Sequence, residues 1–177
     1  MIDTKKNTAV VFPGQGSQVI GMGADLYEKS SIAKDIFDEV DDTLGRKLTD
    51  IVFSGSQEIL NKTENAQPAI TATSLACFSV FKDKYKDFTP SVTAGHSLGE
   101  YTSLSASNAL SVSDTIRLVS ERGRLMQIAC DKNPGGMVAI IGMEIDIVEE
   151  VCREAGAYPS NINSCLLYTS PSPRDKH

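Results

Sequence analysis

Several things are missing from this 177-residue chain, and each absence removes a class of function. Basic charge is in deficit: 17 Lys and Arg against 23 Asp and Glu give a net charge of −6. No stripe of Lys or Arg offsets that, so a nucleic-acid binder is not expected. The start, Met1-Ile-Asp-Thr-Lys-Lys6, lacks the apolar centre of a secretory signal. No apolar run is long enough to span a bilayer, so no membrane partner is expected. The cysteines (Cys77, Cys130, Cys152 and Cys165) form no C-x-x-C pair. Free thiols in a cytoplasmic protein are expected, not disulfides or zinc ligands, and no metal site. Phosphate-loop patterns are also missing. A dinucleotide fingerprint after Phe12 would need a glycine where Val19 stands, and a Walker loop would need Gly-Lys-Ser/Thr where Gly21-Met22-Gly23 stands. Histidine occurs only as His96 and His177.

What is present is a globular composition, 41% hydrophobic and 23% charged, with length for one real core or two small ones. The most informative stretch is Val92-Thr-Ala-Gly-His-Ser-Leu-Gly-Glu-Tyr101. An apolar run ends, Gly95-His96-Ser97-Leu98-Gly99 makes a tight turn, and a helix-forming run, 100–106, follows. In that strand–turn–helix context G-x-S-x-G reads as a nucleophile elbow. Gly95 and Gly99 give the helix room to pack on the strand. Ser97 would present its hydroxyl, and the Leu98 N–H would face a developing oxyanion.

Upstream, 8–12 reads as a buried strand, followed by the loop Pro13-Gly-Gln-Gly-Ser-Gln18 with Gln15 and Gln18 as polar side chains. Residues 31–44 form an amphipathic helix ended by Gly45, with Asp35, Asp38, Glu39, Asp41 and Asp42 on a solvated outer face. Residues 48–53 are a short apolar piece and 61–67 are polar. A helix with Pro68 in its first turn then runs through 69–84, apolar over most of its circumference and therefore central. Another helix, capped by Ser113, runs to about Cys130. On its wheel Leu118, Val119, Leu125, Met126 and Ala129 form an apolar arc with Arg122 in the middle. A buried guanidinium keeps its charge and must be paired, by an internal carboxylate or by a substrate's. After Asn133-Pro-Gly-Gly136, residues 137–141 read as a strand, 146–155 as a helix ended by Gly156, and 159–163 as a further extended piece. Residues 164–177 change character: two prolines, several serines and no amphipathic period. They read as a non-native tail outside the fold.

Taken together, Phe12-Pro-Gly-Gln-Gly-Ser-Gln18, Asn65-Ala-Gln-Pro68, Gly95-His-Ser-Leu-Gly-Glu-Tyr101, Arg122-Gly123 and the 137–143 strand resemble the malonyl-CoA:acyl-carrier-protein transacylase family of fatty-acid and polyketide synthesis. The resemblance covers about residues 5–163. It implies an α/β fold with three parts. Residues 1–135 would be an incomplete α/β-hydrolase-like acyltransferase subdomain. Residues 136–163 would begin an inserted ferredoxin-like small subdomain, and 164–177 would lie outside the family. It also implies transfer of malonyl from malonyl-CoA to the phosphopantetheine thiol of acyl carrier protein, through a seryl ester. In that reading Ser97 is the nucleophile. Leu98 and Gln15 supply oxyanion-hole N–H groups, Arg122 pairs the malonyl carboxylate, and Gln67 lines the site. No cofactor is implied, since malonyl-CoA is a substrate and phosphopantetheine arrives on the partner. A free-standing, monomeric, cytoplasmic enzyme of fatty-acid biosynthesis is expected.

One part of the chemistry is absent from the pattern. A serine needs a base, and the family's catalytic histidine lies beyond the stretch that resembles it. The His96 side chain should point away from the hydroxyl, and His177 is in the foreign-looking tail. The chain therefore reads as the N-terminal portion of a member, weakly active or inactive as it stands. The alternatives are an α/β-hydrolase-type serine esterase, which would not need Arg122, and a non-catalytic fragment that binds acyl carrier protein.

Overall fold

The computed structural model describes residues 7–164 and 167–173. The chain divides into two compact units, and the division falls between Gln127 and Ile128.

In the first unit β1 (Ala9–Phe12) pairs in parallel with β2 (Val92–Gly95), Phe12 standing opposite Gly95. Between them lie α1 (Ala24–Lys29), α2 (Ser31–Leu44), α3 (Leu48–Ser54), α4 (Gln57–Asn61) and α5 (Thr63–Lys84). After β2 come α6 (Gly99–Ala106) and α7 (Val112–Lys132), which belongs to this unit as far as Gln127. The strand reading of 8–12 holds, but its burial does not. Val11 and Val92 are exposed and only Phe12 is buried, because the described sheet of this unit has just two strands.

The core is organised by α5, as its apolar circumference predicts. Every residue from Asn65 to Ala72 is buried, with Leu75 and Ala76. Phe37 and Val40 of α2, Leu48 and Val52 of α3, Leu60, Leu98, Ile116 and Val119 close around it. The helix starts earlier than expected, at Thr63, so Pro68 sits inside it. Proline cannot donate to the carbonyl four residues back. That carbonyl, Glu64 O, accepts from Arg46 Nη2 at 3.4 Å instead, and the Thr63 N–H is capped by Gln127 Oε1 at 3.1 Å. The apolar piece at 48–53 proves to be helical. The cap of α7 is Ser111, whose Oγ accepts from the Asp114 N–H at 3.0 Å, not Ser113.

One acidic residue leaves the solvated face expected for it. Asp41 is buried, accepting from Thr49 N at 3.1 Å and Thr49 Oγ1 at 2.6 Å, with Lys47 Nζ at 3.4 Å. It follows Val40 into the core and satisfies the donors that open α3.

The second unit holds β3 (Gly135–Ile141), α8 (Ile145–Ala155), β4 (Asn161–Ser164) and β5 (Leu167–Pro173). Its antiparallel sheet has the order β3-β5-β4, so the central strand comes from the stretch that reads in the sequence as a tail outside the fold. Val148 and Cys152 are buried against Ile140, Met143, Ile145 and Ala157, a core as small as the sequence suggests. Cys77 and Cys130 are free thiols, whereas Cys165 and His177 lie outside the described residues. Among the described residues no helix is long and apolar enough to cross a membrane.

The Asp41 arrangement carries a stability test. Asp41→Ala removes the acceptor for two Thr49 donors and should lower the unfolding free energy by roughly 1–3 kcal/mol in urea titration. Asp41→Asn keeps one acceptor oxygen and should lose less. Equal stability of all three proteins would refute this role.

Candidate active site

The chain turns from β2 into α6 in three residues, and the turn has almost no room. A Cβ on Gly95 would lie 1.9 Å from the carbonyl carbon of Gly99, and one on Gly99 would lie 2.3 Å from the carbonyl oxygen of Phe12. Glycine is needed at both places by sterics. Between them Ser97 has φ of 51°, in the left-handed region that costs a non-glycine residue about 1–2 kcal/mol. Neighbouring bonds hold it there. His96 N donates to Phe12 O at 3.1 Å, and Glu100 N donates to Ser97 O at 3.2 Å. The Leu98 side chain is fully buried, which is worth a comparable amount in the opposite direction. The expected strained elbow is therefore present, and it leaves Ser97 exposed.

The hydroxyl of Ser97 meets an arginine. Arg122 Nη2 donates to Ser97 Oγ at 2.9 Å, and Arg122 Nη1 donates to Gln67 Oε1 at 2.7 Å. Gln67 is fully buried on α5, and its Nε2 donates to Met126 Sδ at 3.1 Å and to Gln15 Oε1 at 3.5 Å. Gln15 Nε2 donates in turn to Thr63 Oγ1 at 3.2 Å. Ser97, Arg122, Gln67 and Gln15, widely separated in sequence, thus lie on one hydrogen-bonded path. The same loop is held from its far end. Gly16 N donates to Gln18 Oε1 at 2.8 Å, and Gln18 Nε2 donates to Asn61 Oδ1 at 3.0 Å. The backbone N–H groups of Gln15 and Leu98 donate to no described group.

Arg122 reaches this position through a close helix contact. A Cβ on Gly123 would sit 2.6 Å from Thr63 O, so α7 approaches the start of α5 more closely than a side chain would allow. The apolar arc expected for α7 is corrected accordingly. Its buried stripe is Thr115, Ile116, Val119 and Gly123, whereas Leu118, Leu125 and Met126 are 46%, 53% and 39% exposed. Small residues make the contact, and a helical wheel gives more weight to large ones. Arg122 sits at the edge of the buried stripe and is half-buried rather than enclosed.

Among the described residues no carboxylate forms an ion pair with Arg122. Arg124, by contrast, holds Glu121 at 2.7 Å through two nitrogens, and that bond keeps the Glu121 carboxyl below its ordinary range. Ser97 and Gln67 offer Arg122 only neutral acceptors. The His96 ring lies against the first loop: an added Cβ on Gly14 would come 2.8 Å from His96 Nδ1. Three contributors escape the sequence reading: Thr63, Met126 as a sulfur acceptor, and Tyr101, whose ring centroid is 5.8 Å from Arg122 Cζ. Met126 stands four residues after Arg122 on α7, a spacing that places both side chains on one helix face.

The family described as the acyl transferase domain matches residues 9–164. The chain belongs to the acyl transferase family. Among its relatives are two proteins named malonyl CoA-acyl carrier protein transacylase. The one from Bacillus subtilis (strain 168) is 48% identical over 143 residues, 81% of this chain and 44% of that protein. The one from Haemophilus influenzae is 45% identical over 166 residues, 94% of this chain and 53% of that protein. The chain thus spans about half the length of the curated relatives it matches. The solved acyl-carrier-protein S-malonyltransferase of Bartonella henselae superposes with a TM-score of 0.86 at 40% identity, covering 94% of this chain and 55% of that one. A malonyl-transacylase solved in complex with a type II polyketide-synthase acyl-carrier protein gives 0.87 at 39% identity, covering 96% and 56%. These likenesses identify the fold of the elbow unit as that of the acyltransferases.

The backbone of Ser97 yields a prediction separable from chemistry. Both Ser97→Ala and Ser97→Gly remove the hydroxyl, but only glycine relieves the left-handed conformation. Ser97→Gly should be more stable than Ser97→Ala by about 1 kcal/mol in urea denaturation. Equal stabilities would mean that Ser97 carries no backbone strain.

Proposed function

We propose that this chain carries the malonyl-loading chemistry of a malonyl-CoA:acyl carrier protein transacylase of fatty-acid biosynthesis. One observation carries the reading: an arginine with no carboxylate partner among the described residues touches the hydroxyl of a strained elbow serine. In a malonyl ester the free carboxylate is one methylene away from the acyl carbon. A cation that reaches the serine oxygen therefore also reaches that carboxylate. The planar guanidinium has N–H donors beyond the one on Gln67 and can turn two of them to the carboxylate oxygens in a bidentate pair.

In the first half-reaction Ser97 Oγ attacks the thioester carbonyl of malonyl-CoA. The tetrahedral oxyanion is held by the N–H groups of Leu98 and Gln15. The carbon–sulfur bond then breaks, and coenzyme A leaves as the thiol with the proton taken from serine. Gln67 keeps Arg122 in register throughout. In the second half-reaction the phosphopantetheine thiol of acyl carrier protein takes malonyl from the serine. A neutral acyl group leaves the arginine unpaired, which penalises acetyl relative to malonyl. That selectivity favours a transacylase over an esterase of neutral substrates.

Ser97 Oγ has a donor for its described partner, so this reading takes the general base from outside the described residues. The chain alone is then a slow acylating agent, relying on oxyanion stabilisation and binding. The second unit fits the start of a ferredoxin-like subdomain. Strand, helix, strand, strand with the third strand inserted between the first two is the opening of a split βαβ arrangement. The free thiols agree with a cytoplasmic setting.

Intact-protein mass spectrometry after incubation with malonyl-CoA tests the assignment. The expected outcome is slow gain of one malonyl group by the wild type and none by Ser97→Ala. Arg122→Ala should slow the gain by at least about tenfold, as expected for loss of a charge-assisted bond. A malonyl group that persists in Ser97→Ala, or a rate indifferent to Arg122, would refute the nucleophile and carboxylate-binding roles.

A further inference from the structure

The two hydrogen bonds of Arg122 use the edge of its planar guanidinium: Nη2 toward Ser97 and Nη1 toward Gln67. The same guanidinium lies over the ring of Tyr101, its Cζ 5.8 Å from the ring centroid. Tyr101 stands in the first turn of α6, the helix that the elbow launches two residues after Ser97. The side chain is half-buried and rests on the core of the first unit. No described group bonds its hydroxyl, so the ring is the part in use.

We propose that Tyr101 is a positioning residue for substrate specificity: its ring holds the Arg122 guanidinium beside Ser97 without neutralising it, keeping the cation available to a substrate carboxylate. The proposal rests on the carboxylate-binding role of Arg122. Three kinds of side chain could stand at this place, and they differ in what they leave behind. An acid would form an internal ion pair, as Glu121 does with Arg124, and use up the charge. An aliphatic chain would leave the face of the cation without attraction, and the long arginine could swing away from the serine. An aromatic ring attracts the cation through its quadrupole but carries no charge of its own. The full positive charge therefore stays in place, and the first carboxylate to enter collects it.

The test is a ratio of affinities. Malonyl-CoA and acetyl-CoA are titrated calorimetrically into the full chain, as wild type, Arg122→Ala, Tyr101→Phe and Tyr101→Leu, with thermal unfolding recorded for each. Arg122→Ala should abolish the preference for malonyl-CoA. Tyr101→Phe should keep the preference within about twofold of wild type. Tyr101→Leu should reduce it by roughly three- to tenfold, the span of a partly exposed cation–π contact, through weaker malonyl-CoA binding at unchanged acetyl-CoA binding. A merely structural role would weaken both ligands alike and leave the ratio where it was. If Tyr101→Leu loses its melting transition, Tyr101→Met, which is unbranched and suited to a helix, replaces it. A preference that survives in the leucine or methionine variant, or that falls as far in Tyr101→Phe, overturns the proposal. A wild-type ratio that Arg122→Ala does not change overturns the carboxylate role of Arg122, a result read from different proteins.

Discussion

The structure depends on a contact in which two side chains are missing. Gly95 and Gly99 meet with less than a methyl group's space between them, and Gly99 in turn touches the carbonyl of Phe12. This packs the start of α6 onto the ends of β1 and β2. It also leaves the intervening serine only a left-handed conformation. The strain belongs to one residue, and the support for it is distributed: the buried Leu98 on one side, and the His96 and Glu100 backbone bonds on the other. Because the elbow is fixed by sterics, the hydroxyl needs no partner of its own to hold its place.

A second close approach fixes the group opposite. Gly123 brings α7 onto the first turn of α5, and three α7 side chains then work on that turn or beside it. Arg122 and Met126 engage Gln67, and Gln127 caps Thr63. The early start of α5 is part of the same arrangement. Were Pro68 in its first turn, Thr63 and Gln67 would not share a helix. The chain from Ser97 through Arg122 and Gln67 to Gln15 would then lack its middle. The displaced carbonyl of Glu64 is the local cost, and Arg46 offsets it.

Much of this is legible in the sequence because it lies in motifs whose spacing has a steric meaning. The strand, elbow and helix around Ser97 follow from the two glycines that frame them, and α5 is central because its circumference is apolar. Arg122 stands out as a charge in need of a partner before any geometry is known. Periodicity misleads wherever small residues make the contact. On α7 it favours Leu118 and Leu125 over Thr115 and Gly123, because a wheel counts hydrophobicity and packing counts room. Asp41 groups with its acidic neighbours in the sequence, since no local pattern announces that Thr49 will bond it. The exposure of β1 is hidden for a similar reason: an apolar run shows what a strand could bury, and its neighbours decide what it does bury.

The fully buried amide of Gln67 has a consequence for how such a site can change over time. Its oxygen faces the arginine and its nitrogen faces the sulfur of Met126. A glutamate would fill the same volume, and the genetic code places it one base away. That single change would give Arg122 a permanent internal counterion and exchange a receptive cation for a satisfied one. The protein could keep its fold, its elbow and its serine while losing the attraction for acidic acyl groups proposed for it. On the proposed reading, selectivity for a charged substrate would depend on the neutrality of one side chain in the core.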